Sequence, residues 1–358
     1  MTPRGAEEAS RRRLYSLIVA ALAALALAGI VASFMIGRYP INPPQLFAAL
    51  RDKAGEILSR VTRGAVGAPK SALVTDQMRA ILFNVRLPRI FLACMVGCCL
   101  SAAGASYQGV FQNPMAAPDI LGASSGAAAG AALAILLELG SRMVMVFAFA
   151  ASLITIGLVM LVSRAARGNR VLRIILAGIM ISSLCNAMTS FIKLVADPNN
   201  ILPEITYWMM GSLAKTKPGE VLFALVPMTL GIVPLLLLRW RVNLLTLSDE
   251  EARTMGVPVA AVRTTVIVCS TLITAASVAV SGLIGWVGLV VPHLARRLVG
   301  NNYRHLLPAS MLGGALFLLI VDDVSRNLLL TEIPIGILTS VIGAPFFIWL
   351  ITRRKETV

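Results

Sequence analysis

With 358 residues, 57% of them hydrophobic, and a mean hydropathy of +0.82, the chain is too apolar for an ordinary soluble domain. The net charge of +15 does not point to nucleic acid, because the basic residues cluster at the ends of apolar runs, as anchors of membrane helices do. Five cysteines (Cys94, Cys98, Cys99, Cys185 and Cys269) all fall inside apolar runs without a CxxC pair, so they read as small buried hydrophobes rather than redox or metal groups.

A bilayer core of about 30 Å needs about 20 apolar residues per helix. Runs of that order recur from end to end, which predicts one all-α, polytopic membrane domain over 1–358 with about ten transmembrane helices. The first segment, 14–36, follows three arginines (11–13) in a short tail, 1–13. Its apolar part exceeds the roughly 7–15 residues of a signal-peptide core, so it reads as a spanning helix. Residues 38–87 form a long external loop, Gly- and charge-rich in "RDKAGEILSRVTRGAVGAPK", to which no firm structure is assigned. Segment 88–108 follows, then a turn, "FQNPMAAPDILGASSGAA" (111–128), whose prolines disfavour helix at and before them. Segments 120–139, 142–162, 174–194 and 219–238 come next. Small residues crowd many of the runs, as close helix packing in lipid requires.

The stretch 240–263 contains "RVNLLTLSDEEARTMGVPVAAVR" and reads as a short surface helix. Ser248 caps it, Asp249, Glu250 and Glu251 fill its first turn, and Gly256 and Pro258 end it. Its apolar residues, among them Ala252 and Met255, have little to cover in a free loop, which suits a docking element for a cytoplasmic partner. Segments 264–281, 283–299, 308–329 and 337–352 complete the ten. An even number puts both termini on one side. With that side cytoplasmic, the basic clusters at 11–13, 164–173, 239–263, 296–304 and 353–355 obey the positive-inside bias. The basic loop 38–87 is the exception, tolerated because long loops translocate largely regardless of charge.

No HExxH, Gly-x-Ser-x-Gly or Walker A loop occurs, and the two histidines, His293 and His305, lack companions for a metal site, so neither enzyme nor cofactor is expected. Asp322, Asp323 and Arg326 lie in "LFLLIVDDVSRNLLL", where charge is costly. Asp322 and Arg326 share a helix face, and a structural or docking pair is preferred over a proton relay. An ion-coupled secondary transporter acting alone is the alternative reading.

Six stretches carry a family resemblance: "RLPR" (86–89), "NPMAAPDILGASSGAAAG" (113–130), "YWMMGSL" (207–213), "LLTLSDEEARTMGVP" (244–258), "GLIGWVGLVVPHLARRLVG" (282–300) and "EIPIGILTSVIGAPFFIWLI" (332–351). In this order they closely resemble the FecCD-type permeases, membrane subunits of type II ATP-binding-cassette importers for iron chelates, haem and cobalamin. The resemblance implies a homodimer around a central path in the bacterial inner membrane, two cytoplasmic ATPase subunits and a periplasmic or lipid-anchored substrate-binding protein. It implies a short helix within 283–299, broken by Pro292. Leu247, Ala252, Arg253, Gly256 and Pro258 match the ATPase-coupling region. Arg86, Arg89 and Arg326 match outer-face basic positions that meet acids of the binding protein. The gate region corresponds to Gly168, Asn169, Arg170, Val171 and Leu172. Two features depart from the pattern: the length of the loop 38–87 and the extra acid Asp323. Iron chelates (ferric siderophore or haem) are the expected cargo, with cobalamin second.

Overall fold

Bilayer thickness and helix rise decide most of the architecture. The computed structural model describes residues 3–61, 71–167, 170–246, 249–256 and 258–353, and the regular elements among them are all helical. α1 (Pro3–Met35) is peripheral, with Leu17, Leu25 and Leu27 more than half exposed, as befits a lipid-facing helix. The external loop is not unstructured. Pro43 and Pro44 open α2 (Pro43–Val61), where their missing N–H groups cost nothing. Leu46, Ala48 and Ala49 are buried, and buried Asp52 accepts from Arg79 (3.2 Å) and from the Ser71 amide (2.8 Å).

Arg79 belongs to α3 (Asp76–Ala80), which runs through a π-helical stretch (Ile81–Arg86) into α4 (Leu87–Val110). This continuous run begins well before the predicted segment at 88, and α4 is almost wholly buried. A 3-10 turn (Pro118–Leu121) leads to α5 (Ala123–Leu136), then α6 (Ser141–Ala165), α7 (Arg170–Val195), α8 (Ile201–Met209) and α9 (Pro218–Leu245). After α10 (Asp249–Thr254) come α11 (Val259–Ser281), α12 (Val287–Val299), α13 (Tyr303–Asn327) and α14 (Ile335–Arg353). Seven helical runs among the described residues are long and apolar enough to cross a membrane. α5 and α12, at 14 and 13 residues, are too short: about 20 Å at 1.5 Å per residue, against about 30 Å of hydrocarbon.

The core is α4 packed on α11, α12 and α13, with α9 alongside. Gly97 and Gly314 let α4 and α13 approach until a Cβ on either would strike the other's carbonyl. Polar side chains clasp this core at both ends. At one end Arg89 pairs with Asp322 (2.9 Å). At the other, Arg296 donates to Gln108 Oε1 (2.6 Å) and to the Tyr303 hydroxyl (3.1 Å). Along α4, positions 89 and 108 are ~28 Å apart by helix rise, as are 303 and 322 along α13. The clasps therefore sit one hydrocarbon thickness apart, at the two membrane boundaries. Tyr15 meets His305 (ring centroids 5.8 Å) and Arg297 lies over Trp349 (5.3 Å), so both ends of the chain reach the Arg296 side. That side is called the terminal face below, and the Arg89 side the opposite face.

Candidate functional site

Between the clasps, three helices are interrupted. α8 ends at Met210–Gly211, α11 ends before Gly282–Trp286, and α14 starts only at Ile335. The interruptions are joined to one another by backbone hydrogen bonds. Ser212 N–H donates to the Ser281 carbonyl (2.8 Å), Ile335 N–H to Gly211 (2.8 Å) and Gly336 N–H to Met210 (3.1 Å). Gly211 and Gly282 both have φ near +70°, and a Cβ on Gly282 would strike the Trp208 carbonyl. Only glycine fits there.

The interruption between α11 and α12 lies at membrane depth. Gly288 abuts Gly104, ~22 Å along α4 from Arg89. Trp286, which sets the start of α12, holds φ at 70°, a conformation that costs a bulky residue about 1–3 kcal/mol. Its indole lies against Gly343 and near Phe347 (6.3 Å). Non-helical backbone at this depth is tolerated where it is buried or lines a cavity. A cleft of about 500 Å³ is lined there by Met209, Met210, Leu283, Gly285, Gly336 and Ser340, among others. Apart from this cleft, α7 carries an exposed polar stripe, Ser183, Asn186 and Ser190, at helical spacing. Both hydroxyls return a bond to their own helix (2.9 Å each), which leaves Asn186 as the residue that suits neither lipid nor core.

The sequence of the FecCD transport family matches residues 24–353. The chain belongs to that family. It is 40% identical to the molybdate import system permease MolB of Haemophilus influenzae, over 96% of this chain and 97% of that one. It is 42% identical to the hemin transport system permease HmuU of Yersinia pestis, over 78% and 86%. Among solved structures, an inward-facing conformation of an ABC transporter ascribed to the metal-chelate type superposes with a TM-score of 0.82 at 38% identity, covering 94% and 99%. The chain is thus a membrane-embedded permease of the ABC-importer class, a transport subunit rather than an enzyme.

Several predicted site residues of the permease stand differently from their sequence reading. Arg86, Arg89 and Arg326 come together at the opposite face, but they are buried, with exposures of 4, 5 and 7%. The expectation of exposed basic positions is corrected by their partners. Arg89 donates to both oxygens of Asp322 (3.0 and 3.1 Å from Nε) and to Glu332 (3.0 Å). Arg326 pairs with Asp323, the extra acid, which also accepts from Ser33 (2.7 Å). Arg86 donates to the Phe34 and Tyr39 carbonyls. Three arginines thus face three carboxylates, and a neutral set is the form in which charge survives burial.

Pro292 does not break a helix either; it sits inside α12. The Gly288 carbonyl that it leaves unpaired lies 3.5 Å from Gln108 Nε2, a weak replacement. Of the coupling residues, Leu247 lies outside the described residues and the side chain of Arg253 is likewise not described. Ala252 is 1% exposed, buried within the chain itself rather than kept for a partner, whereas Met255 is 60% exposed. Gly256 takes φ +77°, ending α10, and Pro258 is exposed. Of the gate residues, Gly168 and Asn169 lie outside the described residues. Arg170 opens α7, followed by half-buried Val171 and by Leu172, which is 55% exposed.

Proposed function

We propose that two copies of this permease enclose a path between them, fed at the opposite face by a substrate-binding protein and driven at the terminal face by two ATPase subunits. The observation that carries this is the convergence of three helix ends at Gly211, Gly282 and Ile335, joined by backbone hydrogen bonds beside the cleft of about 500 Å³. A lone anchor has no use for backbone there, whereas a path needs groups that alternate between exposure and burial. The terminal face is cytoplasmic, since its basic residues then follow the positive-inside bias. α10, whose sequence includes Ala252 and Arg253, and the turn at Gly256–Pro258 form the ATPase contact, with Leu247 preceding them in the sequence. Residues 168–172 gate the path on the same face.

Docking of the binding protein falls to the loop 328–334, where Leu330 is 96% exposed. Of the three arginines, Arg89 supports that loop by holding Glu332 (3.0 Å), while Ser325 bonds Ile333 (2.6 Å); Arg86 and Arg326 brace the helices behind it. The cargo is a metal chelate, a ferric siderophore or haem, with cobalamin the neighbouring case. The end-to-end likeness to a molybdate permease favours a second reading, a small oxyanion. Proteoliposomes with permease, ATPase and binding protein decide between them. Radiolabelled ferric siderophore, haem, cobalamin and molybdate are offered in parallel, and uptake of the chelate should require ATP and all three components. ATP-dependent uptake of molybdate alone would transfer the cargo assignment to the oxyanion. Uptake by the permease without ATPase would sink the whole reading.

A further inference from the structure

At the terminal face a second cleft, of about 660 Å³, opens between the end of α4, the start of α13 and the end of α12. Arg296, Arg297 and His293 line it together with Gln112 and Asn301, and among the described residues its lining contains no carboxylate. The hydrogen bonds to Gln108 and Tyr303 fix Arg296 and take two of its five N–H groups. Arg297 is exposed and braced over the Trp349 ring (5.3 Å). Two guanidinium groups are thus held in place at a concave surface, with no counter-charge among its described lining residues.

We infer that this cleft is a second ATPase contact, one that receives an acidic side chain of the ATPase, separate from α10. The inference rests on the importer reading above. One observation selects this occupant over an anionic lipid. The cleft is tied to the coupling segment: Thr246, where α9 gives way to α10, lines it, and Gln112 Nε2 donates to the Leu245 carbonyl (2.9 Å). Gln112 holds φ at 50° in doing so. On α9, Asn243 accepts from the Tyr303 amide (2.8 Å) and donates to Asn302 (3.0 Å). A carboxylate drawn into the cleft would therefore pull on the same backbone that carries α10. Arginine is the cation suited to such a contact, since it presents a fixed fork to a carboxylate.

The test is capture of the purified ATPase subunit of the same importer by the permease in nanodiscs. Arg297→Glu should weaken capture about 10-fold at ~50 mM salt, and the gap should narrow to under about 2-fold at ~500 mM, because exposed charge pairs are screened. Asn301→Asp adds one carboxylate without a change of volume and spares the Trp349 stack, so a smaller loss in the same direction is expected. Gly256→Val serves as the α10 control. Wild-type capture at low salt by both cleft variants, with Gly256→Val impaired, would overturn the cleft contact and leave the importer reading standing. Loss of co-purifying anionic lipid in native mass spectrometry of Arg297→Glu, with capture unchanged, would overturn it in favour of a lipid site. A wild-type permease that captures no ATPase would overturn both.

Discussion

Replacing Asp322 with leucine should destabilise the permease more than its single position suggests. The carboxylate is fully buried and accepts from Arg89 Nε at 3.0 and 3.1 Å and from Nη2 at 2.9 Å; Arg326 Nε stands 3.5 Å away. Its loss leaves Arg89 with Glu332 alone, whose side chain is 30% exposed, and shifts the cluster from neutral to one positive charge in excess. Removing one partner of a buried pair costs about 3–5 kcal/mol. That is a large share of the 5–15 kcal/mol typical of folded proteins, and a fall in Tm on the order of 5–10 °C is expected. Arg89→Met alone should also destabilise, since it strands Asp322. The double variant, Asp322→Leu with Arg89→Met, should recover much of the loss, because two apolar side chains leave no charge stranded. Thermal unfolding of the four proteins in one detergent gives the cycle. A coupling of ~2 kcal/mol or more is expected, and additivity within about 0.5 kcal/mol would refute a buried clasp.

Gly282→Ala should cost about 1–3 kcal/mol, since it puts a Cβ at φ +70° against the Trp208 carbonyl; unchanged stability would show that the junction relaxes freely. Gly256→Val should leave insertion and thermal stability close to wild type, because nothing crowds that glycine, yet impair ATPase capture through strain at φ +77°. Normal capture, or failure to insert, would show that α10 is not a separable element.

The spanning helices were legible because a bilayer imposes length: apolar runs such as 142–162 and 264–281 have no other soluble use, and α6 and α11 stand there. The boundary after Ser281 was legible, since the segments part at 281 and 283, but the unwinding through Trp286 was not. "GLIGW" is as apolar as a helix, and its unwinding depends on the Trp208 carbonyl and Gly343, far away in sequence. Pro292 is the natural break by type, yet α12 continues through it with only a weak contact from Gln108 to the freed carbonyl. The arginines at 86, 89 and 326 stand together as the resemblance implies, but their side chains are buried against partners within the chain. The burial of Arg89 follows from Asp322, 233 positions distant, which no local spacing encodes, whereas the acids beside Arg326 are its helix neighbours. Likewise α2 was missed because its alternation of charge and apolar residues resembles a loop until Asp52 finds Arg79.

The two kinds of connection in the bundle divide its labour. α4 and α13 are uninterrupted between the clasps and meet at small residues, so their relative motion would break a buried ion pair at one end and the Arg296 bonds at the other. α8, α11 and α14 are instead linked by single backbone bonds at Ser212, Ile335 and Gly336, which can open one at a time. Alternating access should therefore open these junctions while α4 and α13 stay together. Hydrogen exchange on the reconstituted importer checks this, with and without ATP. Amides of α4 between Arg89 and Gln108 should stay the most protected and unchanged, while Ser212, Ile335 and Gly336 change together. If ATP altered protection chiefly within α4 and α13, the core would be the moving part, and the three interruptions would be structural relics of packing rather than hinges.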